Sequence, residues 1–205
     1  MDFGPIKLRS GTGLAAFTSF VALLSVFPLA VNQFAIDRAG LTLALLAPLD
    51  TPALLRGKAI GNAMIAGIPA SIAIIGAAIL FPSRSFAMWL SIPLTVVATY
   101  LLIAPGAAIL SAIFPRVVDL NSIGRGSNAH GAAGLIATLG TLLAGVPCAI
   151  LILLAAKVIG QTALAPVFLL VWIGICLALD VLFFRMAATV FERRKENLAM
   201  IDRST

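Results

Sequence analysis

The chain is short of charge. Only 11% of its 205 residues are Asp, Glu, Lys or Arg and 61% are hydrophobic, whereas soluble domains run at about 25% charged and about 45–50% apolar. So little polar surface could not cover a water-soluble fold, and the mean hydropathy of +1.11 agrees. Histidine and tyrosine occur once each, with two Trp against 12 Phe. The apolar runs are about 20 residues long instead of the alternating segments of about ten that build a membrane β-barrel, so the chain is helical. Only two cysteines occur, Cys148 and Cys176, both inside apolar runs. Neither a disulfide framework nor a cysteine metal site is supported by that pattern. Acid is the scarcer charge: 14 Lys+Arg against 8 Asp+Glu give +6. The basic excess is scattered between apolar runs without interleaved aromatics, which speaks for membrane orientation and against nucleic acid.

What is present is a series of spans. Five apolar stretches are long enough to cross about 30 Å of hydrocarbon: Leu14 to Ile36, Ala59 to Phe81, Phe86 to Phe114, Ala132 to Val158, and Thr162 to Phe184. The first exceeds the about 7–15 apolar residues of a signal peptide and reads as a retained span. The expected fold is an all-α integral membrane protein, a single transmembrane domain over residues 1–205. It is a bundle of about five helices with one interfacial segment, Asp37–Lys58, a second loop, Pro115–Gly131, and a tail over 185–205. Arg38, Arg56, Lys58, Arg116, Arg125, Arg185, Arg193, Arg194, Lys195 and Arg203 collect on one side, against Lys7, Arg9, Arg84 and Lys157 on the other. Ten against four places both loops and the tail in the cytoplasm, and the N-terminus outside. Lys7 and Arg9, before the first span, pull the other way.

The Asp37–Lys58 segment is unlike the other connections. Its run Leu41 to Leu49 is apolar but too short to span, so it is expected in the interface or packed on protein. Thr51-Pro52 then reads as a helix start, with threonine as N-cap and proline where a missing N–H costs nothing. That helix is expected to continue through Arg56, Gly57 and Lys58 into the second span, projecting a short basic stretch into the cytoplasm. Every span carries proline, at Pro28, Pro69, Pro93 and Pro105, Pro147, and Pro166, and each is expected to bend its helix. Small residues recur every fourth position at Ala104/Ala108/Ala112, Ala133/Ala137/Thr141/Gly145 and Gly57/Gly61, the spacing of close helix contacts.

Catalytic chemistry is poorly supplied. Asp119, Ser122, Ser127 and the sole histidine, His130, fall within one loop, and a triad needs groups converging from separate elements. Asn128 reads as the N-cap of the fourth span. Gly57-Lys58 lacks the earlier glycine and following Ser or Thr of a phosphate-binding loop, holding Pro52 and Ala59 there instead, so no nucleotide site or other cofactor is expected. One His without paired carboxylates supports no metal site. Asp180 is the one acid deep in a span. It needs a partner, and Arg185, five positions on, is out of phase for one. Asn32, Gln33 and Asn62, near span ends, read as helix-contact or cap groups.

Asn32-Gln33-Phe34-Ala35-Ile36-Asp37-Arg38-Ala39-Gly40-Leu41, then Leu45-Leu46-Ala47-Pro48-Leu49 and Leu55-Arg56-Gly57-Lys58, resembles the permease subunits of type-2 ATP-binding cassette transporters. There an asparagine ends a span, an acidic-basic-x-Gly motif follows, then Leu-Leu-x-Pro, then a Gly-Lys that opens the next helix. Ala112-Ile113-Phe114-Pro115-Arg116-Val117-Val118-Asp119-Leu120 looks like the later cytoplasmic exit of such proteins. The resemblance implies that Asp37, Arg38, Gly40, Pro48, Arg56, Gly57 and Lys58 belong to a coupling loop that docks on a separately encoded ATPase. It also implies a second permease half, an inner-membrane location and ATP hydrolysis in the partner. The type-2 core has six spans with both termini inside, so the first span is expected to be missing, as in a truncated frame or a split permease. The alternative is an ion- or proton-coupled carrier using Asp180, or a small membrane scaffold.

Overall fold

The computed structural model describes residues 10–37, 40, 43, 46, 48–82, 85–115 and 131–200, with backbone alone for the last five. Five helices in it are long and apolar enough to cross a membrane. In chain order the α-helices are α1 (Gly11–Ala30), α2 (Gln33–Asp37), α3 (Thr51–Leu80), α4 (Phe86–Ile113), α5 (Gly131–Leu153) and α6 (Ala165–Met200), and all but the short α2 are such spans. No strand occurs among the described residues. Arg38, Arg84, Arg116, Asp119, Arg125, Asn128, His130 and Arg203, with Lys7 and Arg9, lie outside them.

Local chemistry sets the ends of these helices. Ser10 caps α1 by accepting from the Gly13 N–H at 3.1 Å. The span expected to run to Ile36 stops at Ala30: the Asn32 N–H reaches back three residues to Leu29 O at 3.2 Å, tightening the last turn. The Asn32 carbonyl then accepts from Ile36 N–H at 3.1 Å, so the chain restarts as α2. At α3 the N-cap is Asp50, without a side-chain cap bond, and Thr51 is already helical. The proline after it sits in the first turn as expected. Pro166 is the second residue of α6, not a mid-span bend, and no proline stands inside that helix. At its far end α5 widens into a π-helical turn, Leu154–Val158, closed by Ile159 N–H to Leu154 O at 3.0 Å. Gly160 follows at φ 74, the left-handed conformation that glycine adopts without cost, and the chain reverses into α6.

Apolar spans gain little from one another over lipid, so close packing at small residues holds the bundle. The α4–α6 and α1–α3 pairs pack most extensively. At the end remote from α2, Gly11 meets the α3 terminus so closely that a Cβ there would lie 2.1 Å from Phe81 O. Ala15, Ala77 and Ile92 pack in the layer beneath. Ala98, Cys148, Leu169 and Cys176 join α4, α5 and α6 at mid-height. At the α2 end, Ala104, Ala108 and Ala112 receive Phe184, Ala187, Ala188 and Phe191 of α6, together with Phe34 and Leu55. The alanine stripe read from the sequence is therefore the α4 face that α6 covers. Ala133, Ala137 and Thr141 are buried as well, Ala137 against Phe27, Ala30 and Val31. Gly57 and Gly61 differ: both are exposed, with nothing within 4 Å of an added Cβ. Outward surfaces carry Ile, Leu and Val, as lipid requires.

Candidate functional site

The polar groups of the bundle concentrate where α2 meets α3, α4 and α6. Although α2 has only five residues, each of its polar positions is used. Gln33 Oε1 accepts from Asn62 Nδ2 of α3 at 2.9 Å. The Phe34 N–H, an orphan donor at the start of α2, is satisfied by Ser111 Oγ of α4 at 3.1 Å. Asp37 forms an ion pair with Lys58 of α3. The Phe34 ring, fully buried, lies 4.8 Å from the Phe191 ring of α6 at an interplanar angle of 48°. Lys58 Nζ stands 5.7 Å from the centroid of Phe34, so the ammonium is held by a carboxylate and by a ring face.

The sequence residues of this region therefore divide. Asp37 and Lys58 meet each other, and Lys58 points into the protein, its side chain 17% exposed. Arg56 and Gly57 are exposed on the first turns of α3, and Gly40 and Pro48 are exposed before it. Leu43 and Leu46 are 70% and 78% exposed. Asn62 and Gln33 are helix-contact groups, as their positions implied. Arg38 lies outside the described residues.

Beside this junction, α3 and α6 frame an open groove of about 640 Å³ lined by Leu49, Asp50, Thr51, Pro52, Ala188, Thr189, Glu192 and Arg193. At its mouth Thr51 Oγ1 donates to Glu192 Oε1, and Glu192 Oε2 pairs with Lys195 at 2.7 Å. Asp180, half-buried on α6, feels the charge of Arg56 of α3 and lies near Tyr100 of α4. Arg185, five positions on, is exposed. The Tyr100 hydroxyl donates to Ala59 O at 2.6 Å. Tyr100 and Asn62 also line a cavity of about 20 Å³ between α1, α3 and α4, roomy enough for about one water.

Sequence reasoning missed Ser111, Phe191 and the Thr51–Glu192 contact. Ser111 carried a signal, a hydroxyl beside the alanine stripe. Phe191 carried none, since it opens a run that reads as solvated tail. Among the described residues, no group of three or more His, Cys, Asp or Glu is placed to share a metal ion.

Five apolar helices packed at small residues, with their polar contacts gathered at one end, define an all-α, multi-pass membrane protein. No family model, curated protein or solved structure matches the chain.

Proposed function

We propose that the chain is the permease subunit of an ATP-driven transporter, with a separately encoded ATPase docking on the Asp37–Lys58 segment. One observation carries the reading: the helix that opens this segment is fastened to three different spans, by Gln33 and Asp37 to α3, by Phe34 N–H to α4 and by the Phe34 ring to α6. A force applied to the segment reaches all three at once, as coupling between a soluble motor and a membrane pathway requires. The sequence motifs around Asp37, Gly40, Pro48 and Arg56 support the same reading. So does the exposure of Arg56, Leu43 and Leu46, which leaves a basic and an apolar group free for a partner. In this reading the segment and the C-terminal tail face the cytoplasm of a cell whose inner membrane holds the protein. A second permease half completes the pathway, and the ATPase does the hydrolysis.

Affinity purification of the tagged chain from its native membranes, with assay of the co-purifying ATPase, tests the proposal. Arg56→Glu is expected to lower ATPase recovery at least about tenfold with membrane insertion unchanged, the loss of a desolvated interface charge. Full recovery with the reversed charge removes the docking role. Lys58 is a poor substitute for this test, because its reversal also breaks the pair with Asp37. A carrier driven by Asp180 is the second reading, favoured by the half-burial of that acid. It requires Asp180→Asn to stop proton-linked uptake.

A further inference from the structure

One side of α3 is packed, burying Leu55, Ala66, Ala70 and Ala77, and the opposite side faces outward. Along that outer side stand Gly61, Met64, Ile68, Ser71 and Ile75, all exposed and spaced alternately three and four residues apart. Such spacing averages 3.5 residues, the period at which one helix lies along a second over its length. Gly61 has nothing within 4 Å of an added Cβ, so another backbone can come close there. Ser71 is the anomaly of the row. It lies about 15 Å along the helix from Phe81 and about 18 Å from Ala59, near the middle of the apolar span. A hydroxyl turned to hydrocarbon is satisfied by bonding back to its own helix. The exposed hydroxyls of α1, α5 and α6 do so: Ser25 to Ala22 O at 2.8 Å, Thr138 to Gly134 O at 2.9 Å and Thr189 to Arg185 O at 3.0 Å. Ser71 makes no hydrogen bond among the described residues. No water replaces the missing partner at that depth, so it has to come from another helix.

We propose that this row is the contact face of a symmetric dimer, with a second copy of the chain as its occupant. Copies of one chain insert with one sidedness, so their α3 helices run parallel about an axis along the membrane normal. Like residues then meet at like depth. The Ser71 hydroxyls of the two copies face each other, and each can both donate and accept. A partner of different sequence would need a polar group of its own at that same depth, whereas a second copy brings one by construction. A single polar residue in an apolar row also fixes the register, because any slip along the axis leaves both hydroxyls in lipid. The proposal rests on the reading of a transport permease and names the second half as a copy of this chain.

Cysteine cross-linking in native membranes tests the contact, since both native thiols are 0% exposed. Under copper-phenanthroline oxidation, Ser71→Cys and Ile68→Cys are each expected to join most chains into a species of twice the mass. Leu139→Cys, exposed on α5, is expected to join few. No cross-link at Ser71 and Ile68, equal cross-linking at Leu139, or a product of another mass overturns the proposal. Photobleaching of single labelled particles in dilute vesicles is the second measurement, with two steps expected for the wild type and single steps overturning the dimer. Ser71→Ala should weaken association about threefold, the size of one hydrogen bond between spans, and Gly61→Phe at least about tenfold by holding the backbones apart. Space around Gly61 lets the monomer fold with the larger side chain. ATPase recovery from the same membranes separates this contact from the transport reading. Recovery beside a monomeric chain strikes the α3 contact alone, and a dimer without recovery keeps the contact and removes the motor.

Discussion

Asp37 and Lys58 hold each other where solvent is scarce, with side chains 30% and 17% exposed. Removing one partner leaves the other charge with only a ring face for company. Asp37→Asn is therefore expected to cost about 1–2 kcal/mol, read as a lower midpoint of thermal unfolding in detergent. Adding Lys58→Met should restore part of the loss, because an isolated buried charge is worse than none. An unchanged midpoint in the single variant makes the contact ornamental. The ion pair was not legible in the sequence, where Asp37 and Lys58 were simply the two ends of one loop. Nothing in spacing says that a loop closes on itself. The deep acid was legible, and the structure leaves it half-buried on α6 while Arg185, the cation nearest in sequence, is exposed.

At the scale of the helices, ends were harder to read than middles. Apolar runs say where lipid is and not where hydrogen bonding stops, so α1 was expected to continue through the turn at Val31 and Asn32. The proline of α6 was legible as a residue and not as a position, and at the first turn it lacks only an N–H that had no partner to lose. The small-residue spacing was read correctly on α4 because α6 covers it. On α3 the same spacing faces outward, since periodicity marks a face without saying what lies against it. The glycine contact that matters between helices is Gly11, where backbone meets backbone. Gly11→Ala must push α1 and α3 apart, at a cost of about 1–3 kcal/mol. The same substitution at Gly57, with open space around it, should leave stability equal or slightly higher, and thermal unfolding of the pair of variants checks both.

For the whole molecule, five crossings and an all-helical bundle followed from composition and run length alone. The arrangement of the crossings did not, because helices apolar around their full circumference offer no face to match. That α4 and α6 are the main pair, running the same way with α5 between them in sequence, depends on side-chain shapes at Ala104 and Phe184. Sidedness rests on the ten-to-four basic count and has a direct check. With both native thiols fully buried, a Leu46→Cys reporter should react with an impermeant maleimide in inverted vesicles and not in intact cells. Labelling from the outside would reverse the orientation.

The seam at Gly11 and Phe81 has a mechanical consequence. The 30-residue α3 is about 45 Å long, pinned to α1 at one tip and bordered by an open groove at the other. A rod so mounted is a lever with its pivot at Phe81, and a swing of about 5° carries Thr51 through about 4 Å, drawing α2 along through the Gln33–Asn62 and Asp37–Lys58 contacts. That displacement is enough to part the Thr51 hydroxyl from Glu192 while the pivot stays closed. Motion in this bundle is thus expected to grow from almost nothing at one rim to several ångströms at the other, a gradient that paired spin labels along α3 and α6 would trace.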